Sequence, residues 1–242
     1  MYSIEALKLT KKYKDVTAVD ELELGILEGE LFSLLGVNGA GKTTAIRMLS
    51  CLTQPTSGTA RVGGHDLIRD SGEIKKIIAI SPQQTAVAPG LTVKENLELM
   101  AGLFGFARPE REKKIKELSE TFGLHSVLGK RAGKLSGGWQ RRLSIAMALI
   151  SEPSILFLDE PTLGLDVIAR SELWDVIRSL KGKVTVLLTT HYMEEAEALS
   201  DRIGIMKDGR LLTVGTAREI MDMTGKERFE DAFISVVKGG SV

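Results

Sequence analysis

Residues 36–44 read Gly-Val-Asn-Gly-Ala-Gly-Lys-Thr-Thr, and a chain that carries this stretch has few folds open to it. Gly36, Gly41, Lys42 and Thr43 occupy the fixed positions of the pattern Gly-x-x-x-x-Gly-Lys-Ser/Thr, with Val37, Asn38, Gly39 and Ala40 between them and Thr44 after. Glycines let the backbone turn tightly enough for successive N–H groups to face inward and cradle phosphate oxygens. A lysine at the sixth step reaches the β- and γ-phosphates, and the hydroxyl after it ligates Mg²⁺. The flanks have the required form. Leu31-Phe32-Ser33-Leu34-Leu35 is a short apolar run suited to a buried strand, and Thr43 to Leu52 is expected to be helical, with its positive end toward the phosphates. The stretch is read as a phosphate-binding loop. It demands an α/β fold in which a strand feeds directly into a helix.

A chain of 242 residues buries a substantial core as one domain, or as one domain with a subdomain inserted. Thirty-two basic and thirty-two acidic residues cancel. No overall positive field points to nucleic acid, and none is expected as a partner. The single cysteine, Cys51, rules out an internal disulfide and falls near the end of the helix after the loop, where a packed small residue is expected. No apolar run approaches the ~18 residues of a membrane-spanning helix, and the start Met-Tyr-Ser-Ile-Glu lacks a basic-then-apolar signal segment. A cytoplasmic chain that meets a membrane only through a partner is expected.

The chain divides by texture. Leu7 and Leu9 around Lys8, and Leu22, Leu24 and Ile26 alternating with Glu23 and Gly25, have the period of two of antiparallel strands with one buried face. Thr59–Val62 and Ile77–Ile80 read as further strands. From about Leu91 helices take over. Thr92 and Glu95 form a capping-box pattern ahead of Val93–Phe104, and Pro109 opens a second helix. Its apolar stripe is Ile115, Leu118 and Phe122, and its expected ion pairs are Glu110–Lys114 and Glu112–Lys116. A third helix runs from near Gly138 to Ile150. Beyond it, strands at 155–158, 184–190 and 203–206 alternate with helices at 168–180 and 193–199, the order of a parallel sheet covered by helices. Asp208-Gly209 signals a hairpin into Leu211–Val214. An amphipathic tail helix with a frayed Gly-Gly-Ser-Val end closes the chain. The expected division is a core of residues 1–90 and 153–225, a helical insertion at 91–152 and a tail at 226–242.

Two further stretches carry chemistry. Ile155-Leu156-Phe157-Leu158-Asp159-Glu160 is an apolar strand ending in two carboxylates. In open parallel sheets ligands sit at the carboxyl ends of strands, so Asp159 emerges beside the phosphate loop. There an acid can hold Mg²⁺, and Glu160 is suited to polarise an attacking water as general base. Leu135-Ser136-Gly137-Gly138-Trp139-Gln140 precedes the third helix; taken alone, its N–H groups either bind an anion or cap the helix.

In order and spacing, over essentially the whole length, these motifs resemble the ATP-binding cassette ATPases. Gly36–Thr44 and Ile155–Glu160 look like that family's Walker A and Walker B motifs, and Leu135, Ser136, Gly137 and Gly138 like its signature. The resemblance implies more positions. Tyr13 falls where the family stacks an aromatic on adenine; read locally it is a partly buried tyrosine. Gln83 looks like the Q-loop glutamine, which contacts Mg²⁺ or water and links the site to the membrane partner. Pro161–Asp166 resembles the D-loop, with Asp166 at a dimer seam, and His191 is placed like the H-loop histidine, donating to the γ-phosphate or orienting Glu160 and water. Trp139 stands where the widespread signature has glutamine, and Leu163 where a small residue is usual. The implied fold is α/β, a P-loop NTPase core with a mostly parallel sheet, an N-terminal antiparallel β part and an inserted helical subdomain. The implied activity is Mg²⁺-dependent ATP hydrolysis, with Lys42, Glu160 and His191 catalytic and Thr43, Gln83 and Asp159 around the metal. The implied partners are a second ATPase subunit, identical or closely related, whose signature completes the site, and an integral membrane transporter subunit. Thr189–Glu197 and the tail Glu230–Phe233 resemble ABC-2-type exporter subunits. A cassette acting on DNA or ribosomes is the alternative, set against the single cassette and the absence of a basic stripe.

Overall fold

The structure, a computed structural model, describes residues 1–239. In chain order the elements are β1 (Tyr2–Tyr13), β2 (Val16–Leu27), β3 (Leu31–Leu35), α1 (Lys42–Leu49), β4 (Ser57–Val62), β5 (His65–Asp66), α2 (Ser71–Ile77) and β6 (Ile78–Ser81). Then come α3 (Val93–Leu103), α4 (Arg108–Thr121), two short 3-10 turns and α5 (Gly137–Leu149). The last third holds β7 (Ile155–Asp159), α6 (Val167–Arg178), β8 (Thr185–Thr190), α7 (Met193–Leu199), β9 (Arg202–Lys207), β10 (Arg210–Gly215), α8 (Ala217–Thr224) and α9 (Phe229–Lys238). The frayed end expected at 239–242 lies, from residue 240 on, outside the described residues. None of the helices among the described residues is long and apolar enough to cross a membrane.

A six-stranded sheet in the order β10-β9-β3-β8-β7-β6 is parallel except for β10. Its central strands β3, β8 and β7 are buried along their whole length and mostly apolar, because both faces are covered. Along β7, Ile155 and Phe157 join the core beneath the N-terminal strands, while Leu156 and Leu158 join the core under the helices. Along β8 the same alternation sends Leu187 to the first core and Val186 and Leu188 to the second. A second, antiparallel sheet has the order β2-β1-β4-β5. Helices α3 to α5 stand between β6 and β7, so the fold is mixed α/β with an inserted helical part.

Several expectations need correction. Leu7 and Leu9 do not share a face: Leu9 is buried and Leu7 is 60% exposed. Lys8 between them has φ 50, and the pairing of β1 shifts register here against both neighbours, so the strand bulges and Leu7 turns outward. Gly58 accepts this bulge at φ +83; a Cβ there would stand 2.1 Å from the Lys8 carbonyl oxygen. The helix α1 ends at Leu49 rather than Leu52, and Cys51 at φ 58 has already left it. Cys51 is partly buried against the core, and burial raises its thiol pKa. The ion pairs on α4 are Arg108–Glu112 at 3.1 Å and Lys113–Glu117 at 3.8 Å. Lys114 is instead buried, with its ammonium on Glu152 and 4.4 Å from the Phe106 ring centroid. Two helices, α2 and α8, were not anticipated. The Thr92–Glu95 capping box forms as expected.

Candidate active site

Five polar side chains, those of Lys42, Thr43, Asp159, Glu160 and His191, converge where the main sheet ends. The strand β3 delivers the loop 36–41, and Gly41 caps α1 at φ 101. Only glycine fits, because a Cβ there would lie 2.4 Å from the Ala18 carbonyl oxygen. The helix α1 has no acidic residue in its first turn, so its N-terminal dipole is left to an anion. Lys42 is buried. Its Nζ donates to the carbonyls of Gly36 at 2.7 Å and Val37 at 3.2 Å, and lies 3.4 Å from Glu160 Oε1. Burial presses the ammonium below its usual pKa, and the Glu160 carboxylate partly offsets this.

Parallel pairing of β7 beside β8, and of β8 beside β3, carries Asp159 and Glu160 to the same end of the sheet. Asp159 Oδ1 accepts from Thr43 Oγ1 at 3.1 Å and from Thr189 Oγ1 at 2.5 Å. Glu160 has φ 48, a conformation that costs a non-glycine residue about 1–3 kcal/mol and is found where surrounding contacts enforce it. Here its N–H donates to the Thr189 carbonyl and hydroxyl, each at 3.1 Å. Its Oε2 sits 2.5 Å from His191 Nδ1. Gln83 follows β6 and, with Glu160, lines a cleft of about 500 Å³ shared with residues 38–44.

The remaining predicted residues lie elsewhere. Tyr13 ends β1, is 43% exposed and is not among the residues lining the cleft, although its cross-strand partner Val16 is. Lys11 Nζ lies 5.0 Å from its ring centroid. Leu135 to Gly138 do not line the cleft either. Ser136 and Gly137 are exposed at the start of α5, and Ser136 is the N-cap without a side-chain capping bond. Asp166 is exposed and caps α6, accepting from the Ala169 N–H at 2.9 Å. Trp139 packs partly against the helical core, with the Arg142 guanidinium 5.0 Å over its ring, and Arg142 Nη2 pairs with Glu172 on α6 at 2.6 Å. Leu163 is 39% exposed.

Sequence reasoning missed two contributors to the cleft. Val16, Thr17 and Ala18 from the β1–β2 hairpin line the cleft, as do Asp208 and Gly209 from the β9–β10 turn. Gly209 donates to the Ala40 carbonyl at 3.1 Å and accepts from the Asp20 N–H at 2.9 Å, tying loop, hairpin and turn together. Outside the cleft, the sequence did not mark Glu195 on α7, which is fully buried, with Oε1 accepting from Trp174 Nε1 at 3.1 Å and Oε2 meeting no hydrogen-bond partner among the described residues. Burial raises its pKa, although nearby donors and Arg170 act against the rise.

Above the ordinary carboxyl range the unfolded chain releases the Glu195 proton while the folded chain keeps it, so the residue lowers stability as pH rises, until the folded group itself ionises. Glu195→Gln is expected to melt above the unsubstituted chain at pH 8, with the gap shrinking toward pH 5. Thermal unfolding at the two pH values checks this, and a gap that does not change with pH contradicts it.

The oxygen donors Thr43, Asp159 and Gln83 suit a hard cation. Among the described residues there is no cluster of three or more His, Cys, Asp or Glu side chains that would hold a metal by protein ligands alone. That composition fits an ion held jointly with phosphate oxygens.

Comparison with known proteins agrees with this geometry. Residues 19–163 match the family described as ABC transporter. The daunorubicin/doxorubicin resistance ATP-binding protein DrrA of Streptomyces peucetius is 42% identical over 224 residues, which are 92% of this chain and 68% of that protein. A solved structure described as the ATP binding subunit of an ABC transporter superposes with a TM-score of 0.84 at 28% identity, covering 96% of this chain and 98% of the other. A dimeric post-hydrolysis state of the ATP-binding cassette MJ0796, bound to ADP and Pi, superposes with a TM-score of 0.78 at 30% identity, covering 88% and 98%. The chain belongs to the ABC transporter family and is one of its ATP-binding, ATP-hydrolysing cassettes.

Proposed function

We propose that this cassette powers export through a separate integral membrane subunit, on whose cytoplasmic face it sits peripherally, by ATP-driven closure of a pair of cassettes. Residues 1–90 and 153–225 form the nucleotide-binding core, 91–152 the helical part bearing the signature, and 226–242 a tail. The observation that carries the reading is the split in the geometry. Lys42, Thr43, Asp159, Glu160 and His191 are brought together, whereas Ser136 to Gly138 lie away from the cleft, with Ser136 and Gly137 exposed. A site with its phosphate cradle on one surface and its second set of anion-binding N–H groups on another is completed by a second copy or a close relative. Support for export comes from DrrA, whose name states drug resistance.

In this reading the backbone N–H groups of residues 36–44 hold the phosphates. Lys42 exchanges its loop carbonyls for β- and γ-phosphate oxygens. Tyr13, at the mouth of the hairpin, stacks on adenine. Thr43, Asp159 and Gln83 would hold Mg²⁺, which would supply charge neutralisation at the phosphate oxygens. Glu160 accepts the proton of the attacking water. His191 presents Nδ1 to Glu160; in a neutral ring that donates there, Nε2 is an acceptor. The geometry therefore favours His191 as the group that orients Glu160, because donation to the γ-phosphate through Nε2 requires the doubly protonated ring. Asp166 contributes to the seam between subunits while capping α6.

The membrane assignment has a direct test. The tagged chain, isolated from detergent-solubilised membranes of its own host, is expected to carry an integral membrane protein in near-equal amount. Recovery with DNA or ribosomes instead overturns the reading.

A further inference from the structure

Arg141 on α5 is 3% exposed and, among the described residues, has no ion-pair partner. Its guanidinium is satisfied by main-chain carbonyls alone. Nε donates to Pro161 at 2.7 Å, Nη1 to Pro82 at 2.5 Å, and Nη2 to Glu160 at 2.7 Å and Gln83 at 3.0 Å, with Asp159 at 3.5 Å. A buried charge without a counterion is costly unless it is hydrogen-bonded, and the planar five-donor fork of arginine suits contact with two chain segments at once. The two segments are the turn after β6, which carries Gln83, and the end of β7 with the turn after it, which carry Asp159 and Glu160. A second link, Ser81 Oγ to Ser144 Oγ at 3.1 Å, joins β6 to the same face of α5.

The grip on Glu160 matters most. Its φ of 48 is held from both sides: its N–H on Thr189 and its carbonyl on Arg141. Without the second hold the peptide is free to relax to negative φ, which carries the carboxylate away from Lys42 and His191. Arg141 also follows Ser136 by five residues on one continuous helix, so the direction of α5 and the place of the two turns are set together. We infer that Arg141 is a positioning residue that couples the exposed signature end of α5 to the placement of Gln83 and Glu160, so that turnover depends on how α5 is seated. This rests on the roles given above to Ser136, Gln83 and Glu160.

The test uses the full chain and compares Arg141→Gln, which keeps at most two donors and no charge, with Arg141→Lys, which keeps a point charge without the fork. Turnover of ATP is expected to fall by about 30- to 100-fold in Arg141→Gln, the scale of a misplacement near 1 Å. Affinity for a fluorescent ATP analogue is expected to stay within about threefold, which separates lost positioning from lost binding. Arg141→Lys should fall between. Amide exchange should quicken in residues 83–85 and 162–165 together, and not in α1. Turnover within about threefold of the unsubstituted chain, or turnover and affinity falling in parallel, overturns the inference. If Arg141→Gln does not fold, Arg141→Lys carries the same criteria. If the unsubstituted chain itself hydrolyses no ATP, it is the catalytic roles assigned above that fail.

Discussion

Glu160→Gln is expected to lower the turnover of ATP hydrolysis by about 10²- to 10⁴-fold, the span of general-base contributions, while ATP binding persists. The substitution keeps the shape of the side chain and removes its basicity. Three features support the base role proposed for Glu160. It is 8% exposed, which limits competing solvent. Its backbone is held at φ 48, which aims the carboxylate at the cleft. Its two oxygens are divided, Oε2 on His191 Nδ1 and Oε1 toward Lys42 Nζ, so the carboxylate is oriented before substrate arrives. Binding should survive because the phosphate cradle is made by residues 36–44, which the substitution does not touch. Removing a negative charge beside the γ-phosphate position also relieves a like-charge repulsion, so ATP affinity is expected to be unchanged or tighter. The arrested complex should accumulate as a pair of cassettes, visible by size-exclusion chromatography with ATP and absent with ADP. Hydrolysis at the unsubstituted rate would remove Glu160 from the base role.

How much of this was legible in the sequence depends on whether a residue acts through its own side chain. Lys42 ends a glycine-rich loop that follows a largely apolar strand, Asp159 and Glu160 follow four apolar residues, and that local context announced them. The two main-sheet faces were legible for the same reason, since β7 opens on four apolar residues and β8 carries Val186, Leu187 and Leu188 at its centre. Arg141 was not legible. Its partners are main-chain carbonyls 18 to 59 residues away, which leave no mark on residue type. Val16 to Ala18 and Gly209 were missed similarly, because Gly209 meets the loop through its backbone and the hairpin reaches it only in three dimensions. Leu7 was misplaced because a bulge inverts the strand period without any proline or glycine at the site. The helix α8 is a different case. Its capping box, Thr216 with Glu219, is the same signal that located α3 through Thr92 and Glu95, and it was legible but unused.

The second large effect tests whether one chain contains a whole site. Ser136→Asp and Lys42→Ala are each expected to lower turnover by at least about 10²-fold, the cost of losing one preorganised donor to the transition state. Aspartate is chosen because it is itself a good N-cap and is favourable at the positive end of α5, so the helix gains rather than loses stability. Ser136 is exposed and makes no side-chain capping bond, so nothing local is broken. Gly138 would be a poorer probe, because a Cβ there would lie 3.0 Å from Ala169 Cβ and disturb the contact with α6. The charge at Ser136→Asp can act only on a phosphate brought from outside the chain's own cleft, so the affinity of a single chain for ATP should not change. Lys42→Ala damages the cradle of its own chain and leaves the α5 end intact. In a two-fold pair, one mixed dimer therefore holds one doubly damaged site and one undamaged site. Mixing the two variants in equal amounts is expected to restore about a quarter of the unsubstituted activity, since half the pairs are mixed and one of two sites in each is whole. Co-purification through two different tags confirms that mixed pairs have formed. If those pairs remain as inactive as either variant alone, the signature and the phosphate loop act within one chain, and the split geometry has another purpose.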